Sequence, residues 1–271
     1  MIEVRRRLGF GSMRLTGEGV WGAPDDPEAA KAVLRRAVEL GIDLIDTADS
    51  YGPYVAENLI REALHPYPDG LTIATKAGLE RTGPGEWPRN GHPEHLRTAV
   101  NGSLKRLGVE RIDLLQLHAV DPKVPLEESL GALIELRDAG KIRHLGVSNV
   151  SVEELDRAQA MTEIVSVQNR FNLQDRRSED VLDACAERGL AFIPWFPLAT
   201  GDLAEPGGPL DAIAERHGAT PSQIALAWLL HRSPTMLPIP GTSSIAHLEE
   251  NVGAADVALT DGDMAELNAA A

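Results

Sequence analysis

The chain has 271 residues, 43% of them hydrophobic, and a formal net charge of −15. This composition excludes a disordered chain, and the negative charge disfavours nucleic acid and anionic membranes as partners. One cysteine, Cys185, rules out an intrachain disulfide, and no apolar run is long enough to span a membrane. Residues 1–10 contain no apolar signal-peptide core, so we expect a cytoplasmic protein.

Short apolar or β-branched runs alternate along the chain with amphipathic helical stretches. The predicted strands are residues 8–12, 44–46, 71–75, 112–117, 142–147, 164–167, 190–194 and 236–239. The predicted helices are residues 27–40, 54–64, 93–107, 126–139, 152–160, 178–188, 221–231 and 245–254. In the first helix, apolar residues from Ala30 to Val38 recur at the spacing that places them on one face.

Eight strand–helix units on a chain of this length predict a single (β/α)8 barrel domain spanning residues 1–271. The alternative is an open, doubly wound parallel sheet, which usually carries a G-x-G-x-x-G turn after its first strand. Residues 9–14 lack the last glycine of that pattern. We therefore favour the barrel.

In such barrels the active site lies at the carboxyl ends of the strands. The polar and aromatic residues at or just beyond these predicted ends are Asp46, Lys76, His118, Ser148, Asn149, Gln168, Asn169 and Trp195. Each has a structural explanation on its own, such as a turn cap for Asp46 or a surface lysine for Lys76. Together they predict a functional site, because burying several ionisable groups costs free energy unless they pair or act.

The residue types indicate proton chemistry. Tyr51 lies just beyond Asp46, and a phenol with its ordinary pKa of about 10 needs help to exchange a proton near neutrality. The Lys76 ammonium would stabilise the phenolate, and Asp46 would keep that lysine charged. His118 would position a carbonyl oxygen or join the proton relay. These are the parts of a site for a C=O group that accepts a hydride.

Four segments resemble signatures of the aldo-keto reductases. Residues 46–52, with Glu57 following, resemble the family's D-T-A-x-x-Y-G, and Lys76 resembles its lysine. Residues 113–118 are similar to its D-L-x-x-x-H segment, and residues 140–149 to G-K-x-R-x-x-G-V-S-N. The matches occur in order, lie at the expected strand ends and cover nearly the whole chain.

The resemblance implies a reductase that converts an aldehyde or ketone to an alcohol with NAD(P)H. Tyr51 would donate the proton, Lys76 and Asp46 would tune it, and His118 would orient the carbonyl. The nicotinamide carboxamide would be bound by Ser148, Asn149 and Gln168, and Trp195 would stack on its ring. The other residues that the resemblance assigns to the cofactor are Gly11, Ser12, Pro197, Leu198, Gly241, Thr242, Ser243, Ser244, His247, Glu250 and Asn251.

The chain departs from the family at the adenosine-phosphate site. Gly241 and His247 stand where many members have a lysine and an arginine, so both cations are missing. Ser243 and Ser244 either only cap the last helix or also present backbone N–H groups to an anion. NADPH remains the expected cofactor, and NADH is the alternative.

The expected partner is a small-molecule carbonyl compound, and the expected assembly is a monomer or weak oligomer. Trp21 and Trp87, in loops after the first and third strands, either line an apolar pocket or only cover the barrel end. The scattered histidines predict no metal site. Two other functions stay open: a Schiff-base aldolase using Lys76, and a cofactor-binding regulatory subunit.

Overall fold

The computed structural model describes residues 4–198 and 210–270; residues 1–3, 199–209 and 271 lie outside the described part. The strands are β1 Phe10–Gly11, β2 Leu44–Asp46, β3 Thr72–Ala77, β4 Ile112–Leu117, β5 Ile142–Ser148, β6 Ser166–Gln168 and β7 Ala191–Phe192. The α-helices are α1 Pro27–Glu39, α2 Val55–Leu64, α3 Pro93–Leu107, α4 Leu126–Asp138, α5 Val152–Met161, α6 Glu179–Arg188, α7 Asp211–His217, α8 Pro221–Arg232, α9 Ile245–Gly253 and α10 Asp261–Ala269.

The strands are parallel and pair in chain order from β1 to β7. Residues 236–240, here called the closing segment, complete the circle. Leu237 N donates to Phe192 O of β7 at 2.8 Å, and Gly9 N donates to Pro238 O at 2.8 Å. Two of the five residues in this segment are prolines without an N–H, which is why it is not a regular strand. The predicted (β/α)8 barrel is confirmed by this closure.

Strand ends differ from the predicted bounds in ways that bear on the site. β1 and β7 are each only two residues long, whereas β3 and β6 reach further toward the rim than predicted. Lys76 therefore lies inside β3, and Gln168 is the last residue of β6. Helix α7 was not among the predicted helices, because its seven residues make too few turns for a clear helical period.

Helices cover the outside of the sheet with their apolar faces. In α1 the predicted face is buried, with Val33 and Leu34 fully inaccessible. Trp228 of α8 is completely buried and stacks on Phe171 at a ring-centroid distance of 5.8 Å. Burial of one such large apolar side chain stabilises the fold by about 2 to 3 kcal/mol.

A second, smaller apolar cluster fills the barrel interior. It contains Leu44 of β2, Ala74 of β3 and Leu114 of β4. Side chains alternate along a strand, so the residue two positions further on faces the same way. Asp46, Lys76 and Gln116 therefore follow these three apolar residues on the inward face, one layer nearer the carboxyl-terminal rim. The barrel thus has an apolar floor and a polar upper layer.

Candidate active site

Lys76 is the centre of the polar layer. Its Nζ donates to Asp46 Oδ2 at 2.7 Å and to Tyr51 Oη at 3.2 Å. A third bond goes to the carbonyl oxygen of Thr47 at 2.8 Å, so all three ammonium protons have acceptors. Lys76 is fully buried, and Asp46 and Tyr51 are 2% and 7% exposed. Three residues that the sequence assigned to one chemical unit are therefore in direct contact.

The electrostatics of this unit keep the lysine charged and the phenol protonated. Burial by itself lowers the pKa of Lys76, but Asp46 and Tyr51 together raise that pKa above its ordinary value. Burial raises the pKa of Tyr51, and the Lys76 charge offsets only part of that rise. Stabilisation of the phenolate by Lys76, the effect expected from the sequence, is therefore smaller than the effect of burial on this pKa. A buried, protonated phenol against an ammonium is suited to giving up its proton to an oxygen that gains negative charge.

His118 follows β4 directly and lies beside Tyr51, with ring centroids 6.0 Å apart and edge-to-face. Burial, with the Lys76 charge adding to it, holds the pKa of His118 well below its usual value, so the imidazole is neutral. Its Nδ1 is 3.4 Å from Ser50 Oγ. If Ser50 donates this bond, Nε2 carries the proton and remains available to a substrate oxygen.

Gln168 is bound to the catalytic candidates as well as being a cofactor candidate. Its Nε2 donates to Asp46 Oδ1 at 2.8 Å and to Gln116 Oε1 at 3.0 Å. Because both amide protons are used, Gln168 has only its oxygen left to offer a ligand, and that oxygen accepts a hydrogen bond. Gln116 is fully buried and lies 3.4 Å from Ser166 Oγ. Sequence reasoning gave Gln116 no role.

Ser148, Asn149 and Trp195 form a second connected group on the same rim. Ser148 Oγ donates to Gln168 O at 2.8 Å and accepts from Asn149 Nδ2 at 2.9 Å. Trp195 Nε1 donates to Asn149 Oδ1 at 3.0 Å, which fixes the orientation of the indole. Asn149 has a left-handed backbone (φ 57°), a conformation that asparagine tolerates better than most residues. The structure thus brings Ser148, Asn149 and Trp195 together with Gln168, the fourth cofactor candidate on this rim.

Gly11 and Gly241 lie against each other where the closing segment meets β1. A Cβ on Gly241 would lie 2.6 Å from Gly11 O, and one on Gly11 would lie 2.7 Å from Ile239 O. A lysine at position 241 has no room in this backbone. The hydroxyl of Ser12, next to Gly11, is buried without a hydrogen-bond partner in the described part of the chain. An unpaired buried hydroxyl in a tight glycine cradle fits a bound ligand with polar oxygens.

The remaining adenosine-site candidates surround the start of α9. Ser244 is its N-cap and accepts from His247 N at 3.4 Å, while Thr242 Oγ1 accepts from Ser244 N at 3.0 Å. Ser243 and His247 are exposed. Glu250 accepts a hydrogen bond from Thr220 Oγ1, so part of that carboxylate is committed to α8.

Three candidates have less defined surroundings. Asn251 is buried near the end of α9. Pro197 and Leu198 lie in a turn just before the undescribed residues 199–209, and the described contacts do not link them to the other candidates. The preceding Phe196 has a left-handed backbone, and its carbonyl accepts from Asn172 Nδ2 at 3.0 Å.

A separate cleft of about 490 Å³ opens between the loop before α2, the loop after β3 and α3. Asp49 lines it, and its Oδ1 is buried with no hydrogen-bond partner among the described residues. Burial, with Glu57 nearby, raises the pKa of Asp49 to about 8. This cleft is not the cavity of Lys76, Tyr51 and His118, although the loop that carries Tyr51 also carries Asp49.

Comparison with known proteins identifies the family. The family model described as the aldo/keto reductase family matches residues 7–271. The chain belongs to the aldo/keto reductase family. An uncharacterised oxidoreductase of Schizosaccharomyces pombe is 54% identical, covering 98% of this chain and 86% of the relative. Pyridoxine 4-dehydrogenase of Escherichia coli is 43% identical, covering 97% and 93%.

Solved structures agree with this assignment. An aldo/keto reductase from Klebsiella pneumoniae in complex with NADP and acetate superposes with a TM-score of 0.82 and 27% identity, covering 99% of this chain and 94% of that one. The resemblance drawn from the sequence motifs is confirmed. This aldo/keto reductase is an oxidoreductase that reduces carbonyl groups with a nicotinamide cofactor.

The family assignment gives no support to the other two functions. A Schiff-base aldolase needs a neutral lysine, whereas Asp46 and Tyr51 hold Lys76 in its charged form.

Within residues 4–198 and 210–270, no three histidine, cysteine, aspartate or glutamate side chains group as metal ligands. Over the same ranges, no helix has the length and apolarity needed to cross a membrane.

Proposed function

We propose that this chain, acting as one barrel domain over residues 1–271, reduces an aromatic aldehyde with NADPH and that Tyr51 supplies the proton. The observation that carries the proposal is the buried contact of Lys76 Nζ with both Asp46 and Tyr51. When bound, the cofactor supplies a hydride to the carbonyl carbon. The protein must then deliver a proton to the carbonyl oxygen.

The residues divide this work as their geometry suggests. Neutral His118 donates a hydrogen bond that orients the carbonyl oxygen. Tyr51 gives its proton to that oxygen as negative charge develops, and Lys76 stabilises the tyrosinate that remains. Asp46 keeps Lys76 charged and fixed in place. Gln168 offers only an acceptor oxygen toward the cofactor, which suits the NH2 group of a carboxamide.

The cofactor preference rests on Arg14. Its Cγ would lie 3.6 Å from a Cβ on Gly241. The aliphatic part of the Arg14 side chain therefore passes the position from which the lysine of other family members would extend. Arg14 is exposed and makes no ion pair within the described ranges. We propose that Arg14 binds the 2′-phosphate of NADPH in place of that lysine, so that the enzyme prefers NADPH to NADH. The rest of the dinucleotide would be held by Gly11, Gly241, Ser12 and the start of α9, with Glu250 and Asn251 beside its adenosine.

The substrate class is taken from the Escherichia coli relative, which is named for dehydrogenation of pyridoxine at position 4. The reverse reaction reduces pyridoxal, an aromatic aldehyde. Tyr51 and Trp87 lie edge to face at 6.3 Å, which supports a pocket for a flat ring.

The test of the catalytic assignment is Tyr51→Phe, with pyridoxal and NADPH as reactants. The wild type should consume NADPH, whereas the variant should lose at least about a hundredfold in kcat, the size of a lost general acid. NADPH binding, followed by tryptophan fluorescence, should stay within a factor of about two, because little contact surface is removed. A variant with wild-type turnover would refute Tyr51 as the proton donor.

The test of the cofactor assignment is Arg14→Met. Removing one charge-assisted phosphate contact should weaken NADPH binding about tenfold and leave NADH binding unchanged. Arg143→Met is the matched control, because Arg143 is an exposed arginine near the start of β5, at the opposite end of the barrel. Equal losses for NADPH and NADH would exclude a 2′-phosphate contact.

We also propose a cytoplasmic protein that is monomeric or weakly associated. Cys185 is a buried free thiol, and burial raises its pKa to about 12, so it is unreactive. Light scattering at rising protein concentration tests the association state.

A further inference from the structure

Arg81 binds three loops at the mouth of the barrel. We name them by position: rim loop 1 (residues 12–26), rim loop 2 (47–54) and rim loop 3 (78–92). Each of the five N–H groups of Arg81 donates to a backbone carbonyl. The acceptors are Val20 O (2.6 Å), Gly19 O (2.9 Å), Ser50 O (3.0 Å), Gly83 O (3.3 Å) and Glu86 O (2.9 Å). Two belong to rim loop 1, one to rim loop 2 and two to rim loop 3.

The same guanidinium lies against the two tryptophans of the rim. Its Cζ is 3.7 Å from the ring centroid of Trp87 and 5.5 Å from that of Trp21. Trp87 in turn meets Tyr51 edge to face at 6.3 Å. Trp87, Val20 and Met13 pack against the apolar cluster that contains Tyr51. Arg81 therefore holds the aromatic wall next to the proposed proton donor.

The charge of Arg81 is not used in a surface ion pair. Within the described residues its acceptors are all carbonyl oxygens, and no carboxylate lies within ion-pair distance. Burial lowers the pKa of Arg81, yet a guanidinium stays protonated in proteins. The fork of five donors and its stacking on aromatic rings explain why arginine stands here, because lysine offers neither.

Backbone strain in rim loop 1 indicates that the contact is specific. Val20 has a φ of 56°, a conformation that a β-branched residue adopts only when its surroundings require it. Its carbonyl accepts from Arg81 at 2.6 Å and from Gly52 N at 3.3 Å. Gly22 N donates to Gly52 O at 2.7 Å, so rim loops 1 and 2 are joined on both sides of Trp21.

We propose that Arg81 is a positioning residue that determines substrate preference: by fixing Trp21 and Trp87 at the rim, it makes the pocket select flat aromatic aldehydes over saturated ones of the same size. This inference rests on the proposed function, because it assumes carbonyl reduction at Tyr51. It adds a residue outside the polar layer and a structural cause for the choice of substrate.

The experiment compares benzaldehyde with cyclohexanecarbaldehyde, which have the same carbon skeleton and differ in planarity. The enzymes are wild type, Arg81→Met, Arg81→Lys and Arg89→Lys. Arg89 is the control: it lies in rim loop 3, is exposed, and its side chain makes one hydrogen bond within the described residues, to Val120 O. Arg81→Lys keeps the charge without the fork, and covers the case in which Arg81→Met does not fold.

The ratio of kcat/KM for benzaldehyde to that for cyclohexanecarbaldehyde should fall about three- to tenfold in both Arg81 variants, the size of one lost aromatic contact. It should not change in Arg89→Lys. Acrylamide quenching of tryptophan fluorescence should increase in the Arg81 variants, since Trp21 and Trp87 are released. An unchanged ratio in an active enzyme overturns the inference. A wild type that reduces neither of these aldehydes nor pyridoxal with NADPH or NADH overturns the proposed function itself, and the inference with it.

Discussion

Removal of the Lys76 ammonium tests its proposed catalytic role separately from its structural one. At 3.2 Å from Tyr51 Oη, a unit charge stabilises a tyrosinate by at most about 5 kcal/mol at an effective dielectric constant of about 20. Lys76→Met should therefore slow proton donation by about 10² to 10⁴. It also leaves the Asp46 carboxylate buried without a cation, which should cost about 3 to 5 kcal/mol of unfolding free energy.

The double variant Lys76→Met/Asp46→Asn distinguishes the two effects. Removing both charges should restore most of the stability in urea unfolding but none of the rate. Rates are best measured in single turnovers, since product release often limits kcat. Lys141→Met is the control, because Lys141 is half-buried and, among the described residues, its side chain bonds only Asn101 Oδ1. If the single variant kept the wild-type rate, or the double variant regained it, the ammonium would not be stabilising charge on Tyr51.

Two further predictions concern stability. A Cβ on Gly146 would collide with Ser166 Oγ, so Gly146→Ala should lower the free energy of unfolding, measured in urea, by about 1 to 3 kcal/mol. Gly131→Ala, with open space around it in α4, should stabilise the protein slightly. Equal effects of the two variants would refute the packing argument. Folded Asp49 holds a proton that the unfolded chain releases, so its stabilising contribution is present at low pH and is lost as pH rises through about 8. Asp49→Asn should therefore gain up to about 4 kcal/mol over wild type between pH 5 and pH 9. Asp69→Asn, at an exposed surface position, is the control, and an equal gain in both variants would refute the argument.

The strand–helix order was predictable because each unit carries its own periodicity. Strand lengths were not, since tertiary pairing decides where a strand ends; Lys76 lies inside β3 because Lys76 pairs in register with Gln116 of β4. The closing segment, in contrast, is less regular than the strand predicted for it. Its apolar residues predicted a strand, but its prolines limit its hydrogen bonds to alternate positions.

The motif positions of the site were predictable, but two of the contacts that organise it were not. Gln116 occupied an unassigned position of the D-L-x-x-x-H segment. The signal was alternation: a polar residue two positions before His118 on an inward strand face must be buried. Arg81 gave no comparable signal, because its acceptors are backbone carbonyls and three of them lie in two loops that are distant in the sequence.

Because the closing segment contains two prolines, the seam where it meets β1 has fewer backbone hydrogen bonds than the pairs of regular strands. On the β1 side, the backbone hydrogen bonds among the described residues run only from Gly9 N and Gly11 N to the two proline carbonyls, at 2.8 and 3.4 Å. By contrast, β4 and β5 pair over five registered positions. Amide hydrogens of Gly9 and Gly11 should therefore exchange with solvent well before those of β4. If a dinucleotide spans Gly11 and Gly241 as proposed, it would join the two edges and slow that exchange. The exchange rates of the Gly9 and Gly11 amides would then report cofactor occupancy.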